Sequence, residues 1–229
     1  AYRATPKNAG GEEMRLVLVR HAESTANAEG RVQGHADFEL SARGRAQAEK
    51  LRERFQAEEF APTAVYSSPL LRAAQTAKIL ARSWPVPVTH WDDLKEYDVG
   101  VISGLTREET EEKYPDVDFE LETARQFAGI EGAEPLADRR ARGNRVIDSV
   151  LDRHSNEDVV VLVTHGGILQ QLLAAVLKTS RTWGLSVGNT AVFDFTIDMS
   201  RWDLDGNNLA NTAICRIDAF NDTAHLQDG

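Results

Sequence analysis

One cysteine, Cys215, stands in a chain of 229 residues, so no disulfide can close within it and a reducing, cytoplasmic setting is expected. Long apolar runs are missing as well. Nothing approaches the roughly 20 residues a helix needs to cross a bilayer, which argues against a membrane partner. Basic charge is the scarcer sign: 26 Lys and Arg face 36 Asp and Glu, a formal net charge of −10. Nucleic-acid surfaces need a basic stripe to displace counterions, so that class is disfavoured too. No glycine precedes a lysine anywhere, which removes a Walker-type phosphate loop. His35, His90, His154 and His225 show no partner pattern, and no Cys or carboxylate cluster falls at ligand spacing. Neither a metal nor another cofactor is therefore expected.

What remains fits one ordinary domain, with 41% hydrophobic and 27% charged residues and no internal repeat. The opening "AYRATPKNAGGEE" has no apolar signal core. Residues 1–14 are expected to be a flexible leader, and 15–229 a single domain. The pattern then alternates. Short apolar strands are predicted at 15–19, 64–67 and within "PVPVTH", and a continuous β-branched run at 158–164 reads as a buried parallel strand. Helices are predicted over 41–59 with Ser41 as N-cap, from Pro69 in a first helical turn through Trp84, over 135–153 and over 168–177. Two alternating strands, 191–197 and 212–219, close the chain. Between 91 and 132 regularity falls, apart from a Thr106/Glu109 capping box that starts a short helix ended by Pro115, and this stretch reads as a lid. The fold class is α/β, a three-layer sandwich around a mainly parallel central sheet. Ligands of such sheets bind beyond the carboxyl ends of the strands.

Two strand ends look alike. "RLVLVRHAES" and "VVVLVTHGGI" each place a histidine, His21 and His165, just past an apolar run. If both strands are parallel and central, both imidazoles emerge at one end of the sheet. Arg20 precedes the first, and Arg72 lies early in a helix that follows another strand end. Arginine grips tetrahedral oxyanions with a fixed fork of donors. Glu96 follows the third strand. Two arginines, two histidines and one carboxyl suit phosphoryl transfer: an imidazole attacks phosphorus, cations hold the oxygens, and a carboxyl protonates the leaving group.

"RHAES", followed by Asn27, resembles the "RHGET…N" signature of the histidine phosphatase superfamily, which includes the phosphoglycerate mutases. The segments "RVQGHADFELSARGRAQA", "VYSSPLLRAAQTA", "LKEYDVGVISGLT", "EGAEPLADRRAR" and "VLVTHGG" follow in the family's order, and "IDAFNDTAHL" looks like its closing strand and turn. The resemblance spans roughly residues 15 to 226 and implies a phosphoglycerate mutase-like fold whose domain carries the excursion near 91–132 as its lid. It implies His21 as the nucleophile that becomes phosphohistidine, Arg20 and Arg72 as the phosphate clamp, and His165 as a second imidazole steadying the transferring group. Glu96 matches the proton donor, Asn27 a supporting phosphate ligand and Gln33 a substrate contact. Glycine after His165, and the lack of an "RHGxRxP" pattern, argue against the acid-phosphatase and phytase branch. Ala22 stands in place of a usual glycine, and Val101–Ile102–Ser103 in place of the usual "xWE", giving a less bulky, uncharged wall beside Glu96.

Mutases of the family typically carry "ERHYG" where this chain has "EYDVG"; Asp98 in place of a basic group would repel a glycerate carboxylate. The expected activity is hydrolysis of small phosphomonoesters of phosphorylated metabolites through phosphohistidine, without a metal. A mutase-type phosphotransferase is the first alternative and a non-catalytic phosphate-binding relative the second. A nucleotide-binding protein using "THGGI" as a phosphate loop leaves Arg20, His21 and Arg72 unexplained. "DRRARGNR" (138–145) reads as a solvated helix face, and oligomeric state is left open.

Overall fold

A computed structural model describes residues 13–182, 184–202 and 214–227. Six strands form one sheet: β1 (Met14–Arg20), β2 (Ala64–Ser67), β3 (Val88–His90), β4 (Val159–Thr164), β5 (Val192–Ile197) and β6 (Cys215–Asp222), in the order β3-β2-β4-β1-β5-β6. β3, β2, β4 and β1 run parallel, while β5 and β6 are antiparallel additions on the β1 side. The alternation of the strand residues divides the core. Leu16, Leu18, Val160, Leu162, Phe193 and Phe195 face one way, onto helices α6 (Leu136–Arg153) and α7 (Gly166–Val176). Val17, Val19, Val161 and Val163 face the other, onto α2 (Ala42–Ala57) and α3 (Leu71–Leu80). This period-two split with both faces apolar is what a sheet covered by helices on two sides requires.

The connection after β1 leads to α2 on one face, and the connection after β4 leads to α7 on the other. β1 and β4 are neighbours, with Arg20 level with Thr164. Their carboxyl ends therefore flank a crevice from which the chain departs in opposite directions, the place where open α/β sheets bind ligands.

Several boundaries differ from the sequence reading. Met14 is fully buried in β1, so it belongs to the fold rather than to a leader. The remaining leader residues 1–12 lie outside the described residues, as do 212 and 213 of the last predicted strand, which runs instead to Asp222. Pro69 is not in the first turn of α3: Leu70 caps the helix and Leu71 opens it. α7 starts at Gly166, two residues before the predicted 168, because its apolar periodicity begins only after two glycines. The segment from 91 to 132 carries short helical turns, α4 (Arg107–Lys113) behind the Thr106/Glu109 capping box, and α5 (Phe119–Ala124). Its own small core, Val99, Ile102 and Ile130, draws in Val32, Tyr97 and Phe127. Among the described residues no helix is long and apolar enough to cross a membrane.

Candidate active site

β1 and β4 deliver their histidines together: the rings of His21 and His165 lie 5.0 Å apart, tilted by 57°, and both are buried. His21 N–H donates to Thr164 O, and Ala22 N–H to Thr76 Oγ1, which pins the turn after β1. The Ala22 methyl packs with Leu40, Ala48 and Ile79.

The hydrogen bonds assign the tautomers. His21 Nδ1 lies 2.7 Å from Ala22 O, and a carbonyl only accepts, so Nδ1 carries the proton. Nε2 is left with its lone pair and, among the described residues, no partner, in a ring that lines a cavity of about 350 Å³. Burial first, then the charges of Arg20 and Arg72, hold the imidazole well below its ordinary range and keep it neutral. At His165, Arg72 Nε–H donates to Nδ1 at 3.1 Å, so Nε2 carries the proton and donates to Ser68 Oγ at 2.8 Å. Burial, Arg72 and the facing His21 depress this ring as well.

Arg72 is 1% exposed, its fork fixed by Gly34 O and Ala36 O as well as His165. Burial lowers it to about 10, with Glu96 and Asp37 opposing. Arg20 donates through Nη1 to Val187 O, while its buried Nε has no partner. An unpaired buried donor costs about 1–3 kcal/mol, which an arriving oxyanion would recover.

Glu96 lines the same cavity. Its carboxylate takes the N–H groups of Gly167 at 2.9 Å, Ile168 at 2.8 Å and Tyr97 at 3.1 Å, and so sits at the positive end of α7. Gly167 has to be glycine here: a Cβ would fall 1.8 Å from Tyr97 Cε1 and 2.6 Å from Glu96 Oε1.

The structure thus brings His21, Glu96, Arg20, Arg72 and Gln33 to one cavity, with His165 directly behind on Arg72. Asn27 does not line it. Its Oδ1 takes Ser24 N–H in the capping box of α1 (Thr25–Ala28), and Ser24 Oγ donates to Gln33 Oε1 at 2.8 Å, so Asn27 braces the wall from outside. Val101, Ile102 and Ser103 do not form the wall beside Glu96 either. Val99 does, while Ser103 Oγ holds Gln33 O.

The stretch 138–145 is corrected most. Arg139 is fully buried, its guanidinium 3.8 Å from the Tyr97 ring, and Arg142 is 8% exposed. Arg142 forms a two-pronged pair with Glu134, at 2.9 and 2.6 Å, and donates to Asp93 O and Lys95 O. These arginines brace the backbone that presents Glu96. His35 also has partners, Glu96 O at 2.8 Å through Nε2 and Asp98 at 3.5 Å. His154 meets Tyr66 and His225 meets Thr190, whereas His90 is exposed. Sequence reasoning also passed over Ser68 and Asn189, whose Nδ2 donates to His21 O. Ser68 follows a strand end just as both histidines do, and that signal was available.

A family model described as the histidine phosphatase superfamily (branch 1) matches residues 16–210. The chain belongs to that superfamily. Among its relatives, a metal-independent phosphoserine phosphatase of Arabidopsis thaliana is 35% identical over 196 residues, 85% of this chain and 81% of that one. Phosphoserine phosphatase 1 of Hydrogenobacter thermophilus is 36% identical over 182 residues, 78% and 84% of the two chains. Among solved structures, YhfR of Bacillus stearothermophilus superposes with a TM-score of 0.76 at 28% identity, covering 93% of this chain and all of its own. This histidine phosphatase is an enzyme that hydrolyses small phosphomonoesters. Among the described residues no cluster of three or more His, Cys, Asp or Glu is placed to hold a metal ion.

Proposed function

We propose that hydrolysis runs through a phosphohistidine on His21. The observation that carries this reading is the tautomer of His21: a neutral ring with Nδ1–H tied to Ala22 O and the Nε2 lone pair facing the cavity. The Nε2 lone pair forms the P–N bond as the P–O bond to the alcohol breaks, and the departing oxygen takes a proton from Glu96. That proton enters the site with the substrate, bound as the monoanionic ester. Water then attacks phosphorus while Glu96 takes one of its protons, the N–P pair returns to Nε2, and inorganic phosphate leaves. Arg20 Nε and the Arg72 fork hold the non-bridging oxygens throughout, His165 steadies them by redirecting its proton from Ser68, and Gln33 meets the alcohol. Asn27 supports this arrangement through Ser24. The lone Cys215 and the acidic composition support a cytoplasmic setting without nucleic-acid partners.

Phosphate release from a panel of small monoesters in EDTA tests the reading, with His21→Ala alongside. Wild-type turnover is expected and none from the variant, and quenched wild-type enzyme should carry acid-labile, alkali-stable phosphate. Undiminished turnover by His21→Ala would end the proposal. Glu96→Gln is expected to lose about 10²–10⁴ in rate on esters of poor leaving groups and far less on p-nitrophenyl phosphate. An equal loss on both would take the proton-donor role from Glu96.

A further inference from the structure

Beyond the phosphate clamp the cavity changes character. Its outer wall is apolar, from Val32, Val99, Phe127 and Leu185, with the side-chain amide of Gln170 among them. Phe127 is held there under strain: it and Gln126 both adopt left-handed backbone, φ +59° and +54°. Gln126 O takes Arg139 Nη1–H, Gln126 Nε2–H reaches Gln170, and Phe127 N–H donates to Glu122 O. A fold that keeps two such residues side by side fixes an aromatic ring over the site. Among the described residues the cations lining the cavity are Arg20 and Arg72, and the carboxylate of Glu96 lines it with them, close enough to raise the proton affinity of both. Asp98 sits just behind, oriented by Gly100 N–H and His35.

We infer that this phosphatase takes monoesters of uncharged alcohols with an apolar face, and that it discriminates against a carboxylate on the carbon chain next to the ester. The inference rests on the phosphohistidine reading above. A substrate carboxylate would enter between Glu96 and an apolar wall with no cation left to pair it. A buried charge without a partner is disfavoured by its desolvation and here by like-charge repulsion as well. A neutral alcohol instead covers Val99 and Phe127 and offers a hydroxyl to Gln170.

Matched pairs test it on the full chain. Glycerol 3-phosphate against 3-phosphoglycerate, and ethyl phosphate against phosphoglycolate, differ within each pair chiefly by one carboxylate. The partner without it is expected to have the higher kcat/KM by at least about tenfold in both pairs, the factor that corresponds to one unpaired charge of modest cost. Gln170→Lys, which places a cation on the outer wall, is expected to narrow both gaps. Phe127→Ala is expected to raise KM for p-nitrophenyl phosphate several-fold more than for glycerol 3-phosphate. Equal rates within pairs, or preference for the carboxylates, would overturn the inference while leaving the phosphatase reading standing. Silence toward every ester, p-nitrophenyl phosphate included, would instead sink the phosphatase reading and this one with it.

Discussion

A single missing side chain decides the position of Glu96, the proposed proton donor. At Gly167 the backbone of α7 approaches Glu96 and Tyr97 so closely that even a methyl would overlap both. Gly167→Ala therefore has to push Glu96 off the helix N-terminus, releasing its bonds to Gly167 and Ile168 N–H. Because the overlap falls on the side chains of Tyr97 and Glu96, kcat on poor leaving groups is expected to fall by tenfold or more, a larger loss than any accompanying fall in thermal stability explains. Calorimetry beside steady-state kinetics checks this, and a variant with full activity would show that Glu96 does not need that seat. At this scale the sequence was readable for His21, His165, Arg20, Arg72 and Glu96, because each stands at a strand end or shortly after one. It was not readable for Gly167 or Asn189. What makes those two matter is a contact across the sheet, Tyr97 against Gly167 and Asn189 against His21 O, and neither leaves a local pattern.

Helix α6 shows how an element can carry two jobs. Val146, Ile147 and Val150 form the apolar stripe that the periodicity predicts, while nearer its start Arg139 and Arg142 face the segment from 91 to 134 instead of water. Sequence alone reads arginines beside acidic neighbours as solvated, since the carbonyls that Arg142 holds, Asp93 O and Lys95 O, lie about fifty residues away in the chain. Thr164 Oγ1–H donates to Leu94 O at 2.7 Å from the other side, so the turn before Glu96 is clamped between α6 and β4. Arg142 acts through that turn and touches no reacting atom. Arg142→Lys keeps the charge but not the fork that spans Glu134 and both carbonyls. Its expected effect is a tenfold or larger fall in kcat for poor leaving groups with KM nearly unchanged, and a smaller fall for p-nitrophenyl phosphate. A uniform fall across leaving groups, tracking lost stability, would reduce Arg142 to a purely structural role. The short lid helices were only half legible for a related reason. The Thr106/Glu109 box announced α4, but the cluster around Val99, Ile102 and Ile130 draws its members from distant turns.

For the whole molecule, the layered sheet puts its chemistry where water is scarce, and this has a thermodynamic consequence. The β1/β4 crevice holds two fully buried imidazoles whose affinity for protons is depressed well below the ordinary value of 6.5, first by burial and then by Arg20 and Arg72. His225, packed against Thr190, is lowered by burial to about 4 in the same sense. Unfolding exposes all three to water, where they regain ordinary affinity. Below pH 6.5 the unfolded chain therefore binds protons that the folded chain refuses, and stability falls with falling pH. It is complete above pH 6.5 and declines progressively toward the folded values, by up to about 1.4 kcal/mol per pH unit for each imidazole that must charge on unfolding. Carboxylates begin to contribute only nearer pH 4, so the decline between pH 6.5 and 5 belongs to histidine. Urea midpoints at pH 8, 7, 6 and 5 are expected to be level at first and then to drop, and His225→Asn, which removes one of the three, should lessen the drop. Catalysis should outlast this loss, because His21, the proposed nucleophile, stays neutral in the fold at pH values where a solvated imidazole would already be charged. A urea midpoint that held constant from pH 7 to 5 would mean that the imidazoles are protonated in the fold, and a protonated His21 has no lone pair with which to attack phosphorus.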